Sequence, residues 1–118
     1  MKAVGAIIFD GDGNILVQKH NKLGKWTLPS GKVDEGESNL LNALKREVWE
    51  ETDLSIQSAT KIRTTTKEFP GLGKVEQTLF QVTKYTGTLK NKEPQKHSIQ
   101  TFMSIGDIKG LGNVSEFI

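Results

Sequence analysis

An α+β fold is what this sequence predicts, and three observations predict it. One run, Ser38 to Asp53, is rich in Leu, Ala, Lys, Arg and Glu with no Pro or Gly inside it, which reads as a single helix. Runs rich in apolar and β-branched residues, bounded by Gly, Asp, Asn or Pro, lie on both sides of it and read as strands. The 118 residues contain no internal repeat, linker or low-complexity stretch, which suits one globular domain over 1–118.

Taken in order, Ala3 to Phe9 is a continuous apolar run and a candidate buried strand. Asp10-Gly11-Asp12-Gly13-Asn14 is turn chemistry, after which Ile15 to Lys19 resumes as a strand; together they signal a hairpin. The same turn resembles the nucleophile motif of haloacid-dehalogenase-type phosphatases and begins like a calcium loop. Ile15 stands where a calcium loop needs glycine and Asn21 where it needs glutamate, so the hairpin turn is the better reading. His20 to Lys25 is a polar, basic loop leading to Trp26, for which a core role and a base-flanking role are both open.

Ser38 is the expected N-cap of the helix. At about 100° per residue, Leu41, Leu44, Val48 and Thr52 form its apolar stripe, while Glu47, Glu50 and Glu51 share another arc. Like charges at these spacings repel, unless the face is simply solvated or a divalent cation draws the oxygens together. Beyond the helix, Leu54 to Phe69 reads as one or two strands, Pro70-Gly71-Leu72-Gly73 as a turn, and Val75 to Tyr85 as a long strand. Gly87 to Ser98 is a long polar loop carrying Glu93 and His97. His97 has no partner that the sequence identifies, and its default place is at the surface or behind the site. Ile99 to Ile105 is the last strand, with Phe102 and Ile105 expected in the core. In the tail only Asn113 to Ile118 has the makings of a helical turn.

Composition narrows the function classes. A formal net charge of +2 suits a small anionic ligand and falls short of a nucleic-acid-binding surface. With no cysteine, disulfide frameworks and thiolate metal sites are excluded. No run is long enough to span a membrane and the N-terminus shows no signal pattern, so a cytoplasmic location is expected.

Gly31, five residues, Glu37, and then Arg46-Glu47-Val48-Trp49-Glu50-Glu51-Thr52-Asp53-Leu54 resemble the signature box of the Nudix (MutT-type) hydrolases, here approximately residues 31–54. The flanking Trp26-Thr27-Leu28-Pro29-Ser30-Gly31-Lys32-Val33 is similar to that family's entry to the box. Three departures stand out. Ser38 to Lys45 is one residue longer than the family spacing, Asp53 replaces a glycine, and Ser30 stands where a second glycine is common. The extra residue falls at the loop-to-helix junction, and Asp53 is able to take the left-handed conformation that ends a helix.

The resemblance implies a Nudix-type α/β/α sandwich with a mixed central β-sheet, one main catalytic helix, and a second helix shortened or missing. It implies metal-dependent cleavage of a diphosphate bond in a nucleoside diphosphate linked to some group X. A nucleoside triphosphate, giving monophosphate and pyrophosphate, is the leading substrate; ADP-ribose or a dinucleoside polyphosphate comes next. Pro70 matches a proline that accompanies ADP-ribose hydrolysis in some subgroups, but its turn explains it equally well. Glu47, Glu50 and Glu51, with the Ser30 carbonyl, would hold Mg²⁺ or Mn²⁺. Glu50 or Glu51 would be the base, with Glu93 a weaker alternative, and Arg46 would orient a glutamate. Lys32, Trp26 and Glu93 are the substrate-facing candidates. Gly31, by turning tightly, and Glu37, by steadying the loop, are structural. Dimerisation is common among relatives, but no interface is identifiable. The rival from another class is a catalytically silent Nudix domain that senses or binds nucleotide.

Overall fold

A computed structural model describes residues 1–115. The chain runs β1 (Lys2–Ile7), β2 (Ile15–His20), β3 (Lys25–Thr27), β4 (Ser30–Lys32), α1 (Leu40–Thr52), β5 (Ser55–Phe69), β6 (Gly73–Thr86), β7 (His97–Met103) and α2 (Ile105–Lys109). The strands form a four-stranded sheet in the order β4-β1-β6-β5 and a three-stranded sheet in the order β3-β2-β7. The first is mixed, because β1 lies parallel to β6 and antiparallel to β4.

Side chains alternate across a strand, and in β1 and β6 that alternation feeds two cores. Val4, Ala6, Phe80 and Val82 face α1 and pack with Ala43, Leu44 and Val48. Leu79 joins Val17, Trp26 and Leu28 against Ile108 of α2, with Ile7 packed at its margin. The layering is therefore α/β/α, with a second helix of only five residues. Leu44 and Val48 are fully buried, and each contributes about 1.5–3 kcal/mol to holding α1 on the sheets.

The expected single sheet is thus divided. The turn after β1 carries the chain from one sheet to the other, so the hairpin reduces to one bridge between Phe9 and Ile15. Asp10 is consumed by this turn, its Oδ1 accepting the N–H groups of Asp12 and Asn14 at 2.9 Å each.

The helix begins one residue later than expected. Asn39, not Ser38, is the N-cap, and its Oδ1 accepts the N–H groups of Leu41 and Asn42 at 2.9 and 3.3 Å. The extra residue of the box accordingly lies outside the helix. At the other end Asp53 adopts φ 64° and its N–H bonds to the Trp49 carbonyl at 3.0 Å, a left-handed cap. The inner face comprises Ala43, Leu44, Val48, Glu51 and Thr52, so the stripe drawn through Leu41 was rotated slightly: Leu41 is only partly buried.

β5 and β6 make one long hairpin through the Pro70 to Leu72 turn. β3 and β4 arise where the sequence reading assigned no strand. β7 starts at His97 and stops at Met103 because Ser104 caps α2, accepting the Asp107 N–H at 3.1 Å. Ile105, expected in the core, is 48% exposed on that helix. Of the tail, Val114 bridges Trp26 as an extended segment, and the remainder of the expected turn, residues 116–118, lies outside the described residues. Among the described residues no helix is long and apolar enough to cross a membrane.

Candidate active site

β4 is an edge strand, and its pairing with β1 decides which backbone groups are free. The Pro29 carbonyl accepts from Ala6, and the Val33 N–H donates to Lys2, both at 2.9 Å. The alternation of an antiparallel ladder therefore turns the backbone groups of Ser30 and Lys32 outward. Side chains of α1 take them up: Glu51 Oε1 accepts the Ser30 N–H at 3.0 Å, and Arg46 Nη2 donates to the Lys32 carbonyl at 3.1 Å. Between them, the space a side chain on Gly31 would fill is occupied by the Glu47 carboxyl. Gly31 is not among the glycines at positive φ. It is needed for close approach, which corrects the expectation of a tight turn.

Arg46 ties the loop to the helix. Its Nε and Nη2 reach both oxygens of Glu37 at 3.2 and 2.9 Å, while Nη1 reaches Glu47 at 2.9 Å and Glu50 at 3.4 Å. Glu37 also accepts the Asp34 N–H at 2.7 Å. The guanidinium and that N–H hold the Glu37 carboxyl below its ordinary range.

The three glutamates differ sharply in setting. Side-chain exposure is 15% for Glu47, 43% for Glu50 and 6% for Glu51. Burial raises Glu47, against the opposing pull of Arg46. Burial pushes Glu51 up to about 8; the Ser30 N–H opposes this, while Glu47 and Glu93 add repulsion. Carboxylate and carbonyl oxygens are the donors a hard divalent cation prefers, and among the described residues no lysine or arginine pairs with Glu51, so the chemistry of the set fits such an ion. Yet among the described residues no three acids or histidines are already disposed as a ligand group, since Arg46 engages Glu47 and Glu50.

Behind Glu51 lies a polar cluster that the sequence did not disclose. Gln18 and His97 are buried. His97 Nε2 stands 3.9 Å from Glu51 Oε2 and 3.5 Å from the Gln18 amide nitrogen. Gln100 donates to Gln18 Oε1 at 2.6 Å and to the Glu51 carbonyl at 2.9 Å. Burial, and then His20, holds His97 below its usual pKa. Among the described residues, His97 Nδ1 and Gln100 Oε1 are enclosed without hydrogen-bond partners. The Glu93 charge raises the pKa of both Glu51 and His97, and Glu93 pairs with Lys96 at 3.4 Å.

Trp26 is 9% exposed and packs in the second core, with the Lys19 ammonium 5.4 Å from its ring centroid. Lys32 is exposed. On the sheet face opposite α1, a cavity of about 350 Å³ borders Ser30 and Gly31 and is lined by Leu23, Leu28, Phe69, Leu72, Val75 and Gln77 among others.

The sequence model of the NUDIX domain matches residues 1–116. The 8-oxo-dGDP phosphatase NUDT18 of Danio rerio is 42% identical over 60 residues, covering 48% of this chain and 18% of that protein. The RNA pyrophosphohydrolase of Roseobacter denitrificans is 33% identical over 69 residues, covering 57% and 42%. The chain thus spans less than half the length of these curated relatives. Among solved structures, a MutT protein from Methanosarcina mazei Go1 superposes with a TM-score of 0.85 at 26% identity, covering 98% of this chain and 84% of that one. A MutT NUDIX hydrolase from Burkholderia pseudomallei shares the fold with a TM-score of 0.87 at 24% identity, covering 98% and 90%. The chain belongs to the NUDIX domain family.

Proposed function

We propose that this chain hydrolyses a diphosphate bond in a nucleoside diphosphate linked to X, and that a nucleoside triphosphate is its principal substrate. The observation that carries the reading is the seating of the Glu47 carboxyl in the space left by Gly31. It brings buried Glu51 and partly buried Glu47 of α1 against the outward backbone of an edge strand, across which lies a cavity of about 350 Å³. The names of the relatives, a nucleoside diphosphate phosphatase and an RNA pyrophosphohydrolase, point to the same class of bond.

Glu47, Glu50, Glu51 and the Ser30 carbonyl would hold Mg²⁺ or Mn²⁺. When bound, such an ion supplies charge neutralisation at the diphosphate and acidifies water. The chain's own groups do the rest. Arg46, fixed by Glu37 and the Lys32 carbonyl, holds Glu47 and Glu50 in place. Exposed Lys32 meets phosphate charge. Glu50 or Glu51 accepts the proton of the attacking water, and Glu93 from the loop above is the third candidate. The cavity holds the base and sugar, which excludes water from one side of the scissile bond. The Arg46 contacts to Glu47 and Glu50 favour one second reading, a nucleotide-binding module without turnover.

The test is incubation with Mg²⁺ and a panel of nucleoside triphosphates, ADP-ribose and dinucleoside polyphosphates, with products read by mass spectrometry. Monophosphate and pyrophosphate from at least one triphosphate, abolished by chelator, is the expected result. No turnover of any member, despite binding, would leave the silent module.

A further inference from the structure

Gln77 is the most buried polar side chain on the wall of the cavity beside Ser30. Gln77 lies in the middle of β6 and is 7% exposed, yet it lines the cavity among apolar side chains. Among the described residues its amide makes no hydrogen bond, and it is not one of the fully enclosed orphans. Largely removed from water and without a protein partner, the amide adds little to stability, so a leucine would serve the fold at least as well. The neighbouring strand is shaped around it. Ala3 is the partner of Gln77 across the parallel ladder, and Gly5 stands one side-chain repeat further along β1. A Cβ on Gly5 would lie 3.0 Å from Gln77 Nε2 and 3.3 Å from its Cδ. The absent side chain leaves the amide room to lie against the sheet and face the cavity. The other polar side chains on the wall, Lys25, Thr27, Ser30 and Ser115, are all less buried.

Resting on the reading that a nucleoside occupies this cavity, we infer that Gln77 is the specificity-determining residue that reads the edge of the base. A carboxamide offers one donor and one acceptor side by side. Held in one orientation against Gly5, it distinguishes the amino edge of adenine and cytosine, a donor followed by an acceptor, from the keto edge of guanine and uracil, where the order is reversed. In an apolar surround such a pair discriminates strongly, because a mismatched base leaves polar groups unsatisfied on both sides.

The test is calorimetric binding of AMP, GMP, CMP and UMP without metal to the wild type, Gln77→Leu, Gln77→Glu and Gly5→Ala, with thermal melts of each. The wild type is expected to rank the four by roughly tenfold or more between best and worst. Gln77→Leu should flatten that ranking while melting at or above the wild-type temperature, since an unpartnered buried amide is replaced by an apolar group. Gly5→Ala should flatten it too, by displacing an intact amide. Gln77→Glu should shift the ranking toward GMP, whose N1–H and 2-amino group donate side by side to a carboxylate, and away from AMP, CMP and UMP, whose edges each set an acceptor against it. A folded Gln77→Leu protein that keeps the wild-type ranking would overturn the inference and leave the nucleotide reading intact. Failure of the wild type to bind any monophosphate would overturn both.

Discussion

Glu51 bears the largest electrostatic cost in the site, and its pH dependence has a definite sign. Its folded pKa, about 8, stands above the ordinary 4.5 because of burial. The folded state therefore holds a proton that the unfolded chain releases. The associated stability is fully present below about 4.5 and is lost as pH rises toward 8. In chelator, the wild type should become less stable between these limits, by on the order of a few kcal/mol. Glu51→Gln should remove that slope and melt higher than the wild type at pH 8. Melting curves from pH 4 to 8 check this, and an unchanged slope in the variant would refute it. Glu50 is much more exposed, so Glu50→Gln should leave the melt unchanged while lowering turnover by about a hundredfold or more; unchanged turnover would remove Glu50 from the mechanism. At this scale the sequence showed which residues were acids and how they were spaced. It did not show that Glu51 points inward, because small Ala43 proved to be on the inner face and Leu41 at its margin. Gln18 was the overlooked signal. It lies two residues beyond Leu16 in a short strand, on the same inward face, and polar residues placed so are held for a reason.

Loop, edge strand and helix work as a unit through Arg46. Arg46→Lys keeps the charge but cannot reach both oxygens of Glu37 and the Lys32 carbonyl together. It is expected to cost about 1–2 kcal/mol in stability and to raise proteolytic cleavage between Val33 and Asn39. Equal resistance to protease would show that the loop holds itself. Gly31→Ala should be harsher on function than on fold, since its Cβ would displace the Glu47 carboxyl; turnover beside a melting curve separates the two effects. At the helix C-terminus Asp53 occupies a left-handed conformation that glycine takes without strain. Asp53→Gly is therefore expected to stabilise the protein by up to about 1 kcal/mol, offset slightly by loss of the exposed Lys92 contact at 3.5 Å. The long helix and the β5–β6 hairpin were legible because each satisfies a period over many residues. β3 and β4 were not, since three residues carry no period. Asn39 and Ser38 are chemically equal as caps, and tertiary position chose between them.

At the scale of the molecule, the fold's decisive contact is the parallel pairing of β1 with β6, between segments far apart in sequence. No local pattern announces such a pairing, so the division into two sheets escaped the sequence reading, while the α+β class did not. That pairing sets β4 at the edge and lays the cavity and the acid trio on opposite faces of one strand. The most direct test is a crystal structure with Mg²⁺ and a non-hydrolysable nucleoside triphosphate. The expected result is Mg²⁺ coordinated at about 2.1 Å by oxygens from Glu47, Glu50 or Glu51, with phosphate oxygens completing the shell and the base in the cavity beside Gln77. A nucleotide bound elsewhere, with the three glutamates turned to solvent or still held by Arg46 and no metal among them, would contradict it.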